Sequence, residues 1–106
     1  MENQHRKITG YRELSQAEVD LMNRIKAKGA EMLELQAELV DLLKIHEAAK
    51  INAMDSARTS DCEAEAKAEF NRFHAAEPFR WASIGKTDIQ TGVMAMVRAV
   101  AQPAGV

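Results

Sequence analysis

A chain of 106 residues carrying a net charge of −2 is one domain at most, and a chain this short buries so little surface that it is marginal alone. Ala, Glu, Leu, Lys, Met and Arg dominate over two Pro and five Gly, which favours helix, and nothing alternates with period two for long enough to make a sheet. No apolar run approaches the roughly 18 residues of a membrane span, the polar start MENQHRKITG lacks the core of a secretory signal, and the single Cys62 fits a reducing cytosol.

Charge is unevenly distributed. Residues 1–30 hold Arg6, Lys7, Arg12, Arg24, Lys26 and Lys28 against Glu2, Glu13, Glu18 and Asp20. Residues 78–106 hold Arg80, Lys86 and Arg98 against Asp88, and the middle is acidic. One fold-back of the chain would bring the two positive ends together as an anion site. Ordinary solvated faces are the competing reading.

Residues 1–10 read as an arm ending at Gly10, just before Tyr11, the only tyrosine. Ser15 is a good N-cap with Glu18 three residues on, a capping box, and Leu14 with Val19 offers a hydrophobic staple. The helix so started, 15–55, has nothing to stop it before about Asp55. Its apolar stripe includes Met22, Ile25, Met32, Leu39 and Leu43, with Leu33, Leu35, Val40, Leu42 and Ile45 widening it. About 40 residues of helix would span ~60 Å, too long for a small globule, so it must pair with another long helix in the same chain or in a partner. Gly29 within the stripe has two readings, the close approach of a packed helix or of a ligand. His46, in a His-Glu-Ala-Ala-Lys run that is not a zinc motif, reads as an interface histidine.

The polar run from Asp55 to Asp61 predicts a turn at 56–60. Ser60 and Glu63 suggest a second capping box, opening a return over 61–101 as one helix or several. Phe70, Phe73, Trp81 and Ile84 would share one face if Pro78 only kinks the helix. Pro78 could instead be the first residue of a new one. Gly85 is read as a break, with Thr87 and Gln90 capping a short terminal helix that ends at Gln102-Pro103 before a tail over 102–106. The expected fold is therefore all-α, a long antiparallel helical hairpin with a short terminal helix, assembled into a helical homo-oligomer.

No nucleophile elbow, paired-carboxylate site, metal-ligand cluster, dinucleotide fingerprint or phosphate loop is present, so neither a catalytic residue nor a cofactor is expected, and a conventional enzyme is disfavoured. What remains is an aromatic ring beside a cation at Tyr11-Arg12, then Asn23 and Lys26 one turn apart on a helix face. A ring can stack a base, Lys and Arg can neutralise phosphate, and Asn can bind a base edge or ribose. On these grounds Arg12, Asn23, Gly29 and Arg80 join Tyr11 and Lys26 as candidate ligand residues. Lys86, Thr87, Thr91 and Arg98 are plausible members of that site or of the second ligand site that the family resemblance below implies, and the sequence does not assign them between the two.

The segments YRELSQAEVDLMNRIKAKG and RWASIGKTDIQTGVMAMVRAVAQP resemble the two ends of the phage anti-CBASS cyclic-oligonucleotide sponge family. The resemblance covers about 19 residues at the front and 24 at the back, and none of the hairpin tip between them. It implies a small helical hairpin assembling as a homohexamer of two trimers. It further implies binding of cyclic dinucleotides such as cyclic GMP–AMP between protomers, with cyclic trinucleotides as a second ligand class, all held intact. By position Tyr11 matches the family's base-stacking tyrosine and Lys26 its phosphate-contacting lysine. The implied setting is the cytoplasm of an infected bacterium, with no membrane and no DNA or RNA polymer as partner. Two other readings stay open: a helical-hairpin or coiled-coil interaction protein of a phage with no small ligand, and a weak nucleic-acid binder using the terminal basic clusters.

Overall fold

The structure, a computed structural model, describes residues 12–104. The arm at 1–10, Tyr11 and the last two residues of the tail lie outside the described residues. The chain is an all-α hairpin of three helices: α1 at Gln16–Ser56, α2 at Glu63–Ala75 and α3 at Pro78–Ala101. No strand occurs among the described residues.

The start of α1 forms as its sequence signals require. The Ser15 hydroxyl accepts from the Glu18 N–H at 3.2 Å, and the Glu18 carboxylate accepts from the Ser15 N–H at 2.9 Å. Both arms of the capping box are closed, so two of the donors left over at a helix start are satisfied. Along α1 the less exposed positions include Met22, Ile25, Gly29, Leu33, Gln36, Val40 and Leu43, spaced three or four apart as in a coiled-coil seam. Met32, Leu35, Leu39, Leu42 and Ile45, expected in the same stripe, are instead exposed in the single chain. The apolar surface of α1 is wider than one returning helix can cover.

The chain clusters into two compact units, residues 1–33 with 87–106, and residues 34–86. In the second unit Ala57 is buried at the turn and Thr59 adopts a positive φ of 62°. The expected Ser60–Glu63 capping box is not formed. The Ser60 hydroxyl donates to the Ala57 carbonyl at 2.6 Å, the Glu63 carboxylate accepts from the Thr59 N–H at 3.3 Å, and Cys62 takes the N-cap position. Ser60 is spent on closing the turn, so α2 starts later than expected. The core of this unit is Phe73, packed edge-on against Phe79 at 6.2 Å between ring centres, with the Lys50 ammonium 5.2 Å from the Phe73 ring and 3.3 Å from Glu69. The Gln36 side chain donates to the Ala82 carbonyl at 3.0 Å, tying α1 to the start of α3.

Pro78 begins a new helix. Glu77 takes a left-handed φ of 51°, its N–H donating to the His74 carbonyl, and Pro78 follows at the first helical position, where no N–H is needed. The condition for one continuous aromatic face therefore fails: Phe73 is buried, Trp81 is exposed, and Phe79 takes the place beside Phe73. The break expected at Gly85 is absent, and Thr87 does not open a helix, because α3 runs without interruption through both. One glycine costs about 1 kcal/mol in a helix interior, too little to break a 24-residue helix. Its end is as expected: Gln102 adopts a positive φ of 48° and Pro103 follows.

Candidate ligand-binding site

The first unit is held by a close crossing of α1 and α3. Gly29 is buried there, and a Cβ on it would lie 2.5 Å from Cγ2 of Val93. Helix packing is thus the role of Gly29 seen here, although it also borders the concave surfaces on both sides of the crossing.

On one side, Lys26 of α1 and Thr91 and Arg98 of α3 line a single cavity of about 600 Å³, with Met94, Val97, Ala101 and Pro103 as apolar walls. A neighbouring hollow of about 420 Å³ shares Lys26, Val93 and Met94 with it and extends to Ala30, Leu33 and Gln90. Residues 91, 94 and 98 recur at three- and four-residue spacing, which brings them to one face of α3. Among the described residues neither Lys26 nor Arg98 takes part in an ion pair. The Thr91 hydroxyl donates to the Thr87 carbonyl, so as held it accepts from a ligand rather than donating to it. Two cations over an apolar bed, with one hydroxyl acceptor, suit an anion with a flat, partly apolar body.

On the other side of the crossing, Arg24, Lys28, Asp88 and Gly92 border a cavity of about 700 Å³ with Leu21, Met32 and Met96. Lys28 is 3.4 Å from Glu31 there, and an acidic residue offsets the cations. This side is the weaker candidate for an anion.

The remaining candidates distribute as follows. Arg12 is engaged by Glu18 at 2.5 Å and by the Val100 carbonyl at 2.7 Å. Asn23 is exposed on α1 and borders none of these three cavities. Arg80 belongs to the second unit, where its Nε is 3.8 Å from Glu77 and its guanidinium 5.2 Å from the Trp81 ring. Lys86 is exposed in that same unit, and Thr87 is exposed on α3 in the first. The structure therefore brings Thr91 and Arg98, which the sequence left unassigned between two sites, to one cavity with Lys26. Met94 and Val97 line the same cavity and were not singled out from the sequence. The Thr91–Met94–Arg98 spacing was the signal that could have put them beside the two polar residues.

Among the described residues no cluster of three His, Cys, Asp or Glu side chains is placed to hold a metal ion, and no helix is long and apolar enough to cross a membrane. The fold is a small helical hairpin whose first unit carries an open concave surface lined by two cations and apolar side chains. The family model described as Acb2/Tad1, hairpin domain, matches residues 3–101. Anti-CBASS protein 2 of Pseudomonas phage JBD67 is 57% identical over 110 aligned residues, which cover 99% of this chain and 99% of that protein. The chain belongs to the Acb2/Tad1 hairpin-domain family, in agreement with the anti-CBASS resemblance of its two ends.

Proposed function

We propose that this protein is a phage anti-CBASS factor that binds cyclic oligonucleotide second messengers and sequesters them without cleavage, so that the host's effector is never activated. Cyclic dinucleotides such as cyclic GMP–AMP are the first ligand class and cyclic trinucleotides the second. The observation that carries this reading is the meeting of Lys26, Thr91 and Arg98 around one cavity with apolar walls, in a chain of the Acb2/Tad1 hairpin family. The cations meet phosphate, the apolar walls take the faces of base or ribose, and Tyr11 supplies the stacking ring. Sequestration acts by stoichiometry and affinity and needs no catalytic group.

A cyclic dinucleotide carries two bases and two phosphates in near-twofold arrangement. The cavity is open in one chain, and a second copy with its own Tyr11 and Lys26 would complete it with matching symmetry. Leu35, Leu39 and Leu42, exposed at 57%, 45% and 47% on α1, favour such self-association, and a homohexamer of two trimers is the assembly we propose. The protein would act in the cytoplasm of the infected host.

Titration calorimetry with cyclic GMP–AMP tests the reading. Binding by the wild type, lost in Tyr11→Ala and in Lys26→Ala with the oligomer intact, is expected. Undiminished binding by both variants refutes the site. No heat with any cyclic nucleotide favours a helical interaction protein, for which the exposed leucines would be the working surface.

A further inference from the structure

Arg12 is the one candidate cation whose hydrogen bonds tie distant parts of the chain together. Its Nη2 donates to Glu18 at 2.5 Å and to the Val100 carbonyl at 2.7 Å, so both N–H groups of that nitrogen are committed. Its Nε is buried with no partner among the described residues. The same Glu18 carboxylate closes the capping box through its other oxygen. Val100 lies in the last turn of α3, where carbonyls lack helical partners and a cation is favoured by the helix dipole. One guanidinium therefore joins the entry of α1 to the exit of α3.

The latch ends at the exit of α3, whose residues on either side of Val100 border the proposed site. Arg98, Ala101 and Pro103, next to Val100 in sequence, line the cavity together with Lys26. We infer that Arg12 is a positioning residue, not a phosphate contact: with Glu18 it fixes the exit of α3, where Arg98, Ala101 and Pro103 line the cavity, and so presets the ligand site. This inference rests on the cyclic-nucleotide reading above and assigns within it a role to a residue pair that sequence reasoning took for a ligand contact and a helix cap.

The two roles predict opposite behaviour at Glu18. If Arg12 contacted phosphate, removing the neighbouring carboxylate would leave binding unchanged or strengthen it. If Arg12 works through the latch, removing Glu18 weakens binding as removing Arg12 does. The experiment is calorimetry with cyclic GMP–AMP on the full chain and on Arg12→Gln, Glu18→Gln and the double variant, at low and moderate salt. Expected are losses of about fivefold or more in each single variant, within the usual range for coupling between sites, with the double variant no weaker than the worse single. The salt dependence should match the wild type, since a screened ligand contact has not been removed. Unchanged or tighter binding in Glu18→Gln overturns the role, as does a flattened salt dependence in Arg12→Gln. If Arg12→Gln loses its helical circular dichroism, Glu18→Gln decides alone. No heat with the wild type overturns the ligand reading and this role together, whereas wild-type heat with unaffected Glu18→Gln overturns only the role.

Discussion

Val93 Cγ2 stands 2.5 Å from the position a Cβ on Gly29 would occupy. Val is β-branched and holds one side-chain rotamer in a helix, so it cannot swing away. Gly29→Ala should therefore lose more by overpacking, about 1–3 kcal/mol, than the roughly 1 kcal/mol that alanine adds to a helix interior. Gly85 also lies inside a helix, yet nothing is within 4 Å of its Cβ position. Gly85→Ala should stabilise by up to ~1 kcal/mol. Urea unfolding of both variants should shift the midpoints in opposite directions, and a stabilised Gly29→Ala would show that the crossing is looser than described.

Phe73 is the large apolar side chain most fully enclosed in the second unit, at 6% exposure. Phe73→Ala should cost about 3–5 kcal/mol, enough to unfold a chain of marginal stability. Phe73→Leu keeps most of the volume and should cost far less. Thermal melts that place the two variants together would mean that Phe73 is not the packing centre.

The Arg12 hydrogen bond, followed by the Ser15 N–H, holds the Glu18 carboxyl down to about 2 from an ordinary 4.5. Glu69 is likewise lowered to about 2, by Arg72 first and then Lys50. The unfolded chain binds these protons more tightly than the folded one. Their contribution is therefore complete above the unfolded value and is lost as pH falls from about 4.5 towards about 2. Both carboxylates meet solvent, so the effect is modest and weakened by salt. The difference in urea midpoint between wild type and Glu18→Gln should be constant near neutral pH and shrink across that acid window. A difference independent of pH over the window would contradict the ion-pair origin of the shift.

Leu39→Glu places a charge in the exposed apolar stripe of α1 without touching the Lys26 cavity. Sedimentation should then show smaller species than the wild type, with helical content retained. If a second copy completes the ligand site, cyclic GMP–AMP binding falls with it. An unchanged assembly would remove this stripe from the self-association surface.

Much of this was readable before any coordinates. Ser15 and Glu18 form a local motif whose two hydrogen bonds depend on three residues of spacing alone, and the uninterrupted run to Asp55 left only a long helix. Pro78 at a helix start was one of two readings, and the left-handed Glu77 decides between them. Gly85 and Ser60 misled for the same reason: local propensity is weak, one glycine does not stop a 24-residue helix, and Ser60 is consumed by the turn. Of the two positive ends, Lys26 and Arg98, one from each, come to one cavity, while Arg80 and Lys86 fall in the second unit. What could not be read was register. That Thr91 and Arg98 lie beside Lys26, while Arg80 turns to Glu77 and Trp81, depends on how α3 is set against α1, and a single sequence does not encode that locally. Arg12 was visible as a cation but not as a bridge, because its partner carbonyl is 88 residues away.

The central claim is that the protein holds cyclic oligonucleotides intact. The most direct measurement is to incubate it with cyclic GMP–AMP, remove free ligand, denature the protein and identify what is released by chromatography and mass spectrometry. Intact cyclic GMP–AMP, absent from Lys26→Ala treated the same way, is the predicted result. Linear or cleaved product, or no retained nucleotide, would contradict it.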